Sequence, residues 1–286
     1  TATLDVPLVK PLGVTGTLGL VADGGQTGLY GSLEVGGANA DSTLIDGGLF
    51  SVRGQFLLQI NTTGSDKKVR GRDPATGSFY DSNGKAAEVI VAAQTLRLSG
   101  KASINVGPVV LRGGVDLLID HNGMQAAMDV VLDMGQFGEI GVKGAAAIGS
   151  DANHSPFFAL YVETQVSFGI SVLNVAANAK LQINTSSLAY TTLPDSAGKT
   201  VTVAGNTLFD LSLKGKLKLL AFDVNFDGGV SVVNEVFTFK FNGQLDFFGA
   251  LKIDVGGFVS SNGQFEVKGN ANIDINLGPL HLNAGI

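Results

Sequence analysis

The chain contains no cysteine and no tryptophan among its 286 residues. The absence of cysteine excludes disulfide bonds, thiolate metal ligands and cysteine nucleophiles. No run of about 18 apolar residues occurs, so the sequence predicts no transmembrane helix. Helical periodicity is also missing, because the alanine-rich stretches at 145–147 and 175–179 both follow the two-residue period of strands.

Charge is scarce and is not concentrated. Charged residues make up 15% of the chain, the 19 lysines and arginines are scattered, and the formal net charge is −6. Because no basic patch is interleaved with aromatic residues, we expect no nucleic-acid partner.

Motifs for catalysis are lacking as well. The sequence has no Gly-x-Ser-x-Gly nucleophile elbow, and we expect no enzymatic activity. His121, His154 and His281 are far apart and adjoin polar or turn residues. Surface turns therefore explain the three histidines better than a zinc site does, and we expect no bound cofactor.

Glycine is abundant instead. It accounts for 40 of the 286 residues, about twice its usual share of roughly 7%. Many glycines belong to a recurring pattern of apolar, any, apolar, any, Gly, any, apolar. Its period of two predicts strands, with the glycine on the buried face, where glycine marks a bend or a close approach. We expect these structural glycines to curve a repetitive, all-β protein: Gly16, Gly54, Gly100, Gly113, Gly144, Gly215, Gly243 and Gly269.

The strands are predicted to come in pairs joined by short turns. Val106 and Val109 are expected to face each other across Gly-Pro, as are Leu277 and Leu280, and the same geometry is expected of Val172 and Val175. A corner between solenoid coils would keep the apolar residues on the same face equally well. Two elongated tandem-repeat architectures therefore stay open. These are an antiparallel β-meander or two-layer sheet, and a β-solenoid.

Polar turns are predicted at the opposite strand ends, at 120–123, 227–229 and 260–263, because Asp-Gly and Asn-Gly suit tight hairpins. Gly215, Gly243 and Gly269 recur at similar intervals, and each interval is expected to contain two strands and their turns. A strand is therefore expected to have about nine residues and to span roughly 30 Å.

A longer repeat overlies the short one. Residues 56–63 resemble 179–186, a polar stretch follows each (64–85 and 187–199), and 89–96 then resemble 201–208. Such self-similarity is typical of repeat proteins. We predict N-terminal hairpins at 1–49, block 1 at 50–165 and block 2 at 166–286, and we expect the sequence to be a segment of a longer chain.

The Leu-Gln-Ile-Asn-Thr segment, the polar insertion and the following Val-x-Val-Ala-x-x-Thr-Leu resemble repeats of very large bacterial extracellular or cell-surface proteins. The resemblance covers 50–118 and 166–226, and more loosely the rest. It implies a structural, adhesive or matrix role outside the cell, and it supplies no catalytic residues. The glycine-rich calcium-binding nonapeptide of many such proteins is absent here.

Two kinds of minor site are considered. Calcium could bind Asp73, Asp81 and Asn83, or the alternating Asp223, Asn225 and Asp227, although solvated turn carboxylates explain the same residues better. Three segments match the glycosylation pattern, and strand-ending turns are the preferred interpretation of them: Asn61-Thr-Thr63, Asn153-His-Ser155 and Asn184-Thr-Ser186.

The favoured function is a non-catalytic structural segment of a fibre, sheath or adhesin stalk that self-associates through sheet contacts and meets membranes only indirectly. A lipid-transfer groove is the alternative, and an outer-membrane β-barrel ranks lower because aromatic girdles are missing. The stripe of Phe237, Phe239, Phe241 and Phe247, in phase with Gly243, is expected to pack in the core and to cover glycines.

Overall fold

A computed structural model describes residues 2–4, 12–23, 26–35, 42–71, 83–120, 123–150, 155–170, 173–192, 200–219, 222–247, 251–277 and 280–285. These residues form β-strands and a 3-10 turn at Gly135–Phe137, and they contain no α-helix. The strands are β1 (Ala2–Leu4), β2 (Leu12–Asp23), β3 (Gln26–Val35), β4 (Ser42–Asp46), β5 (Phe50–Asn61), β6 (Lys67–Arg70), β7 (Glu88–Val91), β8 (Thr95–Val106), β9 (Val109–Asp120), β10 (Gly123–Asp133), β11 (Glu139–Ser150), β12 (Pro156–Ile170), β13 (Leu173–Asn184), β14 (Tyr190–Thr191), β15 (Thr202–Val203), β16 (Thr207–Leu219), β17 (Phe222–Val233), β18 (Val236–Phe247), β19 (Leu251–Ser260), β20 (Phe265–Leu277) and β21 (Leu280–Gly285).

Seventeen of the strands form one sheet, and every ladder in it is antiparallel. Each strand of this sheet pairs with the sheet strand that follows it in the sequence, except that β3 and β4 both pair with the same side of β5. The short hairpins β6–β7 and β14–β15 stand apart from this sheet. The all-β prediction is confirmed, and the meander is the architecture observed of those that the sequence left open.

Two of the three expected hairpin apices are confirmed. Val106 lies opposite Val109 and Leu277 opposite Leu280. The expected pairing of Val172 with Val175 is wrong, because β12 ends at Ile170 and Ile170 lies opposite Leu173. This apex allows Leu173 to be buried, whereas the expected turn would have placed it in the loop.

The polar turns after Asp120 and Ser260 fall between strands as predicted, and Gly263 has φ +90°. The predicted turn at 227–229 is wrong, because these residues lie inside β17. The chain reverses at Asn234 and Glu235 instead, both of which have positive φ, as a tight hairpin turn requires. Strands β16 to β18 consequently have 12 or 13 residues rather than about nine.

The sheet curls until its apolar face packs against itself. Five ladders separate β5 from β12 (via β8, β9, β10 and β11), which would place them about 24 Å apart in a flat sheet. The Phe50 and Phe158 ring centroids are nevertheless 5.9 Å apart. Phe168 of β12 meets Phe239 of β18 at 5.7 Å, although four ladders separate these strands. One strand, β12, therefore faces both β5 and β18 across a single core.

Small and large residues alternate across neighbouring strands on the apolar face. Phe226 lies opposite Gly215 on one side and Gly243 on the other. In the next row, Phe241 lies between Gly228 and Gly257. A Cβ on Gly243 would lie 3.2 Å from Phe226 Cβ, and one on Gly228 would lie 3.1 Å from Phe239 Cε2. Phenylalanine side chains therefore pack close to these two glycines, in agreement with the expectation that aromatic rings cover glycines of this sheet.

The pair of Gly54 and Gly100 gives a direct test of this packing. A Cβ on Gly100 would lie 2.0 Å from the Gln55 carbonyl oxygen, and one on Gly54 would lie 2.1 Å from the Lys101 carbonyl oxygen. We expect Gly100→Ala to lower the free energy of unfolding by about 2 kcal/mol or more, because β5 and β8 must separate. Urea denaturation measures this change.

Gly141→Ala is the matched control, since a Cβ there meets nothing within 4 Å. This variant should be neutral or gain up to about 1 kcal/mol from the reduced entropy of the unfolded chain. Equal stability of the two variants would show that the close approach at Gly100 is unimportant.

Candidate functional site

The eight glycines singled out in the sequence all lie within strands of the large sheet. At six of them, a Cβ would come within 2.5 Å of a carbonyl oxygen of the adjacent strand: Gly16, Gly54, Gly100, Gly113, Gly215 and Gly243. Gly144 instead faces the Val162 side chain at 2.9 Å, and the nearest atom to Gly269 is at an ordinary 3.5 Å. A Cβ at any of the first six would therefore clash with the adjacent backbone, whereas one at Gly269 would not, and the role of the eight glycines in curving the sheet stays a prediction.

A buried asparagine closes β5, and a second one closes β13. The amide nitrogen of Asn61 donates to the carbonyl oxygens of Ser65 (2.9 Å), Val91 (2.8 Å) and Ala92 (3.0 Å). Its Oδ1 accepts from the amide and the hydroxyl of Thr63. The side chain is fully buried. We call Asn61 and Asn184 the loop anchors, because each ties a polar insertion to the end of its strand.

Asn184 repeats this arrangement 123 residues later in the sequence. Its amide nitrogen donates to the carbonyl oxygens of Leu188 (2.9 Å) and Val203 (3.2 Å), and its Oδ1 accepts from the Ser186 amide. The residues around it match as well. The hydroxyl of Thr62 accepts from the Leu29 amide, and that of Thr185 accepts from the Phe158 amide.

The chain also leaves the two insertions in the same way. Gln94 and Asn206 both have positive φ, and their amides donate to the carbonyl oxygens of Thr63 and Ser186. The sequence repeat thus corresponds to one local structure formed twice. The limits of the blocks at 1–49, 50–165 and 166–286 stay predictions, and residues 165 and 166 both lie within β12.

The anchors account for two of the three glycosylation-type segments. An amide nitrogen held by backbone carbonyls in a buried site is inaccessible to modification in the folded chain. The strand-ending turn is therefore the structure of both segments. Asn153 lies outside the described residues.

Asn61→Ala should destabilise the protein by about 3 kcal/mol, because it leaves buried carbonyl oxygens without a donor. Asn184→Ala should lower the free energy of unfolding by a smaller amount, since fewer carbonyl oxygens lose their hydrogen-bond donor. The exposed Asn225→Ala is the control and should change stability by less than about 0.5 kcal/mol. Urea denaturation of the three variants measures these differences, and a harmless Asn61→Ala would contradict the anchoring role.

The calcium candidates are only partly described. Asp73 and Asp81 lie outside the described residues, and Asn83 is exposed. Asp223, Asn225 and Asp227 lie along β17 on the polar face, opposite Lys218, Lys216 and Lys214 in register. Lys214 Nζ lies 3.4 Å from Asp227 Oδ1. A lysine therefore lies opposite each of these residues on the adjacent strand, and the Lys214 ammonium pairs with Asp227. His121 and His154 also lie outside the described residues.

The apolar face is covered over the central strands and uncovered toward both ends of the sheet. On β18, Phe237, Phe239 and Phe241 are buried. On β20, which lies two ladders away, Phe265 is 63% exposed and Val267 37% exposed, although both continue the apolar phase. We call these two residues the C-terminal end face.

The opposite end of the sheet shows the same loss of cover. Val35 of β3 is buried, whereas on β2 Leu18 is 38% exposed and Leu20 is 84% exposed. We call Leu18 and Leu20 the N-terminal end face. Sequence alternation alone could not reveal either end face, because it marks which residues share a face but not how far the curl of the sheet covers them.

The polar face is solvent-exposed, as expected from its lysines and aspartates. Lys216, Lys218, Lys240 and Lys252 are all exposed. Cross-strand partners of opposite charge lie in register, such as Lys252 opposite Asp246. Arg97 of β8 makes a two-point contact with Asp116 of β9 (2.8 and 2.6 Å), and this hydrogen bond raises the pKa of Arg97.

Comparison with protein-family models, with curated proteins and with solved structures finds no match. The resemblance to repeats of large bacterial surface proteins therefore stays a hypothesis from the sequence. Among the described residues, no helix has the length and apolar composition needed to cross a membrane.

Proposed function

We propose that this chain is a non-catalytic structural segment of a large extracellular or cell-surface protein, which assembles with further copies through its uncovered sheet ends. The observation that carries this proposal is the exposure of Leu18 and Leu20 at one end and of Phe265 and Val267 at the other. An apolar sheet face is stabilised by covering it with another apolar face.

A second copy of the chain is the partner that fits. Its opposite end offers an apolar face of the same alternating pattern, and in the described ladders β1 and β21 each pair on one side only. Different surfaces meeting head to tail give a filament when the rotation between copies does not close a ring. The charged polar face stays in solvent during this assembly.

The lipid-groove alternative has less support. A groove requires large apolar side chains left open along the sheet, but the apolar residues of β5, β8, β13 and β18 are packed into the core. Among the described residues of the apolar face, the exposed large side chains lie on β2 and β20, where contact with another sheet would cover them.

Phe265→Lys with Val267→Lys should weaken self-association, because two charges would be buried in each contact. Sedimentation velocity over a concentration series measures the mass distribution, and small-angle X-ray scattering measures the particle length. Val233→Lys is the matched control, since Val233 is 68% exposed but lies beside the β17–β18 turn. A parent chain that stays monomeric, or an end-face variant that assembles normally, would overturn the proposal. Lipid copurifying with the parent would favour the lipid-groove alternative.

Charge reversal on the polar face should leave assembly unchanged. Lys216→Glu with Lys218→Glu keeps the exposed positions but places a glutamate opposite Asp223. We expect a stability loss below about 1 kcal/mol from this like-charge pair and the same sedimentation profile as the parent. Loss of assembly would show that the polar face belongs to the contact.

A further inference from the structure

A depression of about 740 Å³ crosses the polar face at the centre of strands β12, β13, β16 and β17. Its size lies within the range of small-molecule sites in proteins. It is lined in two adjacent rows, which follow the register of the strands. The first row is Glu163, Lys180 and Ser212, and the second is Gln165, Asn178, Lys214 and Asp227. We call this depression the polar groove.

The charges of the polar groove cancel. Glu163 and Asp227 balance Lys180 and Lys214, and Lys214 lies 3.4 Å from Asp227. A surface with both signs interspersed does not attract a polyanion or a polycation over long range. The ligand that suits this surface is polar and uncharged.

The uncharged side chains of the groove are free to bind such a ligand. Gln165 lies directly opposite Asn178. Within the part of the chain that the structure describes, the side chains of Gln165, Asn178 and Ser212 make no hydrogen bond with the protein. Each carries both donor and acceptor capacity, which matches the hydroxyl groups of a sugar.

An aromatic side chain adjoins the groove on the same strand and face. The Tyr161 hydroxyl donates a hydrogen bond to Glu163. Burial and this bond raise the pKa of Tyr161 to about 12. Phe157 and Tyr190, with centroids 6.1 Å apart, lie further toward the β14–β15 hairpin. Aromatic rings next to hydrogen-bonding groups suit ligands with an apolar and a polar side.

Block 1 shows how the same surface looks when it is covered. Leu57 and Gln59 occupy the positions of Lys180 and Gln182 relative to the loop anchors. Both are buried, and Gln59 Nε2 donates to the Arg70 carbonyl oxygen of β6. Lys180 and Gln182 are half-exposed instead. At the position of the buried Leu57, block 2 therefore has the half-exposed Lys180.

We propose that the polar groove binds a neutral polysaccharide chain. This site is independent of self-assembly, because the groove lies on the polar face and the end faces lie on the apolar one. Binding and assembly can therefore fail separately.

Affinity electrophoresis in native gels tests the proposal. The gels contain dextran, mannan, xyloglucan or mixed-linkage β-glucan as neutral probes, and alginate as the anionic probe. We expect at least one neutral polysaccharide to retard the chain. Gln165→Ala with Asn178→Ala should weaken that binding by about tenfold or more.

Gln244→Ala is the control, because Gln244 lies on the polar face outside the groove, where its Nε2 donates to Asp254 at 3.0 Å. This variant should bind as the parent does. No retardation by any neutral probe, retardation by alginate alone, or full binding by the Gln165/Asn178 variant would overturn the proposal. Circular dichroism of each variant verifies that the fold is intact.

Discussion

Neighbouring strands of the curled sheet come into close backbone contact at glycines of the apolar face, which no larger residue would allow without separating the strands. Carbonyl oxygens occupy the positions where a Cβ of Gly54 or Gly100 would lie. These contacts accompany a sheet bent enough to bring Phe50 against Phe158. Phenylalanines lie in the same cross-strand rows as these glycines, such as Phe226 between Gly215 and Gly243.

In this curled, open sheet, the apolar face is covered at the central strands and left exposed at the end strands. The strands in the middle of the meander have partners across the core, whereas β2 and β20 lie where this cover runs out. Complete burial of a side chain such as Leu20 or Phe265 is worth about 1.5–3 kcal/mol. Part of that gain offsets the entropy lost on association. The uncovered ends consequently favour contact with another apolar sheet, and the chain itself provides one.

The alternation of apolar residues was sufficient to predict an all-β chain, two hairpin apices and the buried phase of the strands. The prediction of a turn at 227–229 was wrong, because Gly-Gly occurs both in turns and where two strands approach closely. Only the structure distinguishes the two, since it places the Lys240 carbonyl oxygen of the adjacent strand against Gly228. The apex after Ile170 was misplaced because Leu173 fits either a loop or the core. The loop anchors were visible as repeated sequence, but their hydrogen bonds required the fold. The polar groove could not be predicted, since its rows form only when the register of four strands is known.

The two blocks use one surface in two ways, and this difference is the strongest reason to assign the polar face a role of its own. Both place a polar insertion after a buried asparagine, with matching bonds at entry and exit. In block 1, Leu57 is buried, and Gln59 Oε1 is buried with no hydrogen-bond partner among the residues that the structure describes. In block 2, Lys180 replaces Leu57 and stays partly in solvent. Lysine at this position is incompatible with the dry packing of block 1. The apolar face supports the fold and is the face of the proposed assembly, whereas the proposed polysaccharide site lies on the polar face, where Lys180 is half-exposed.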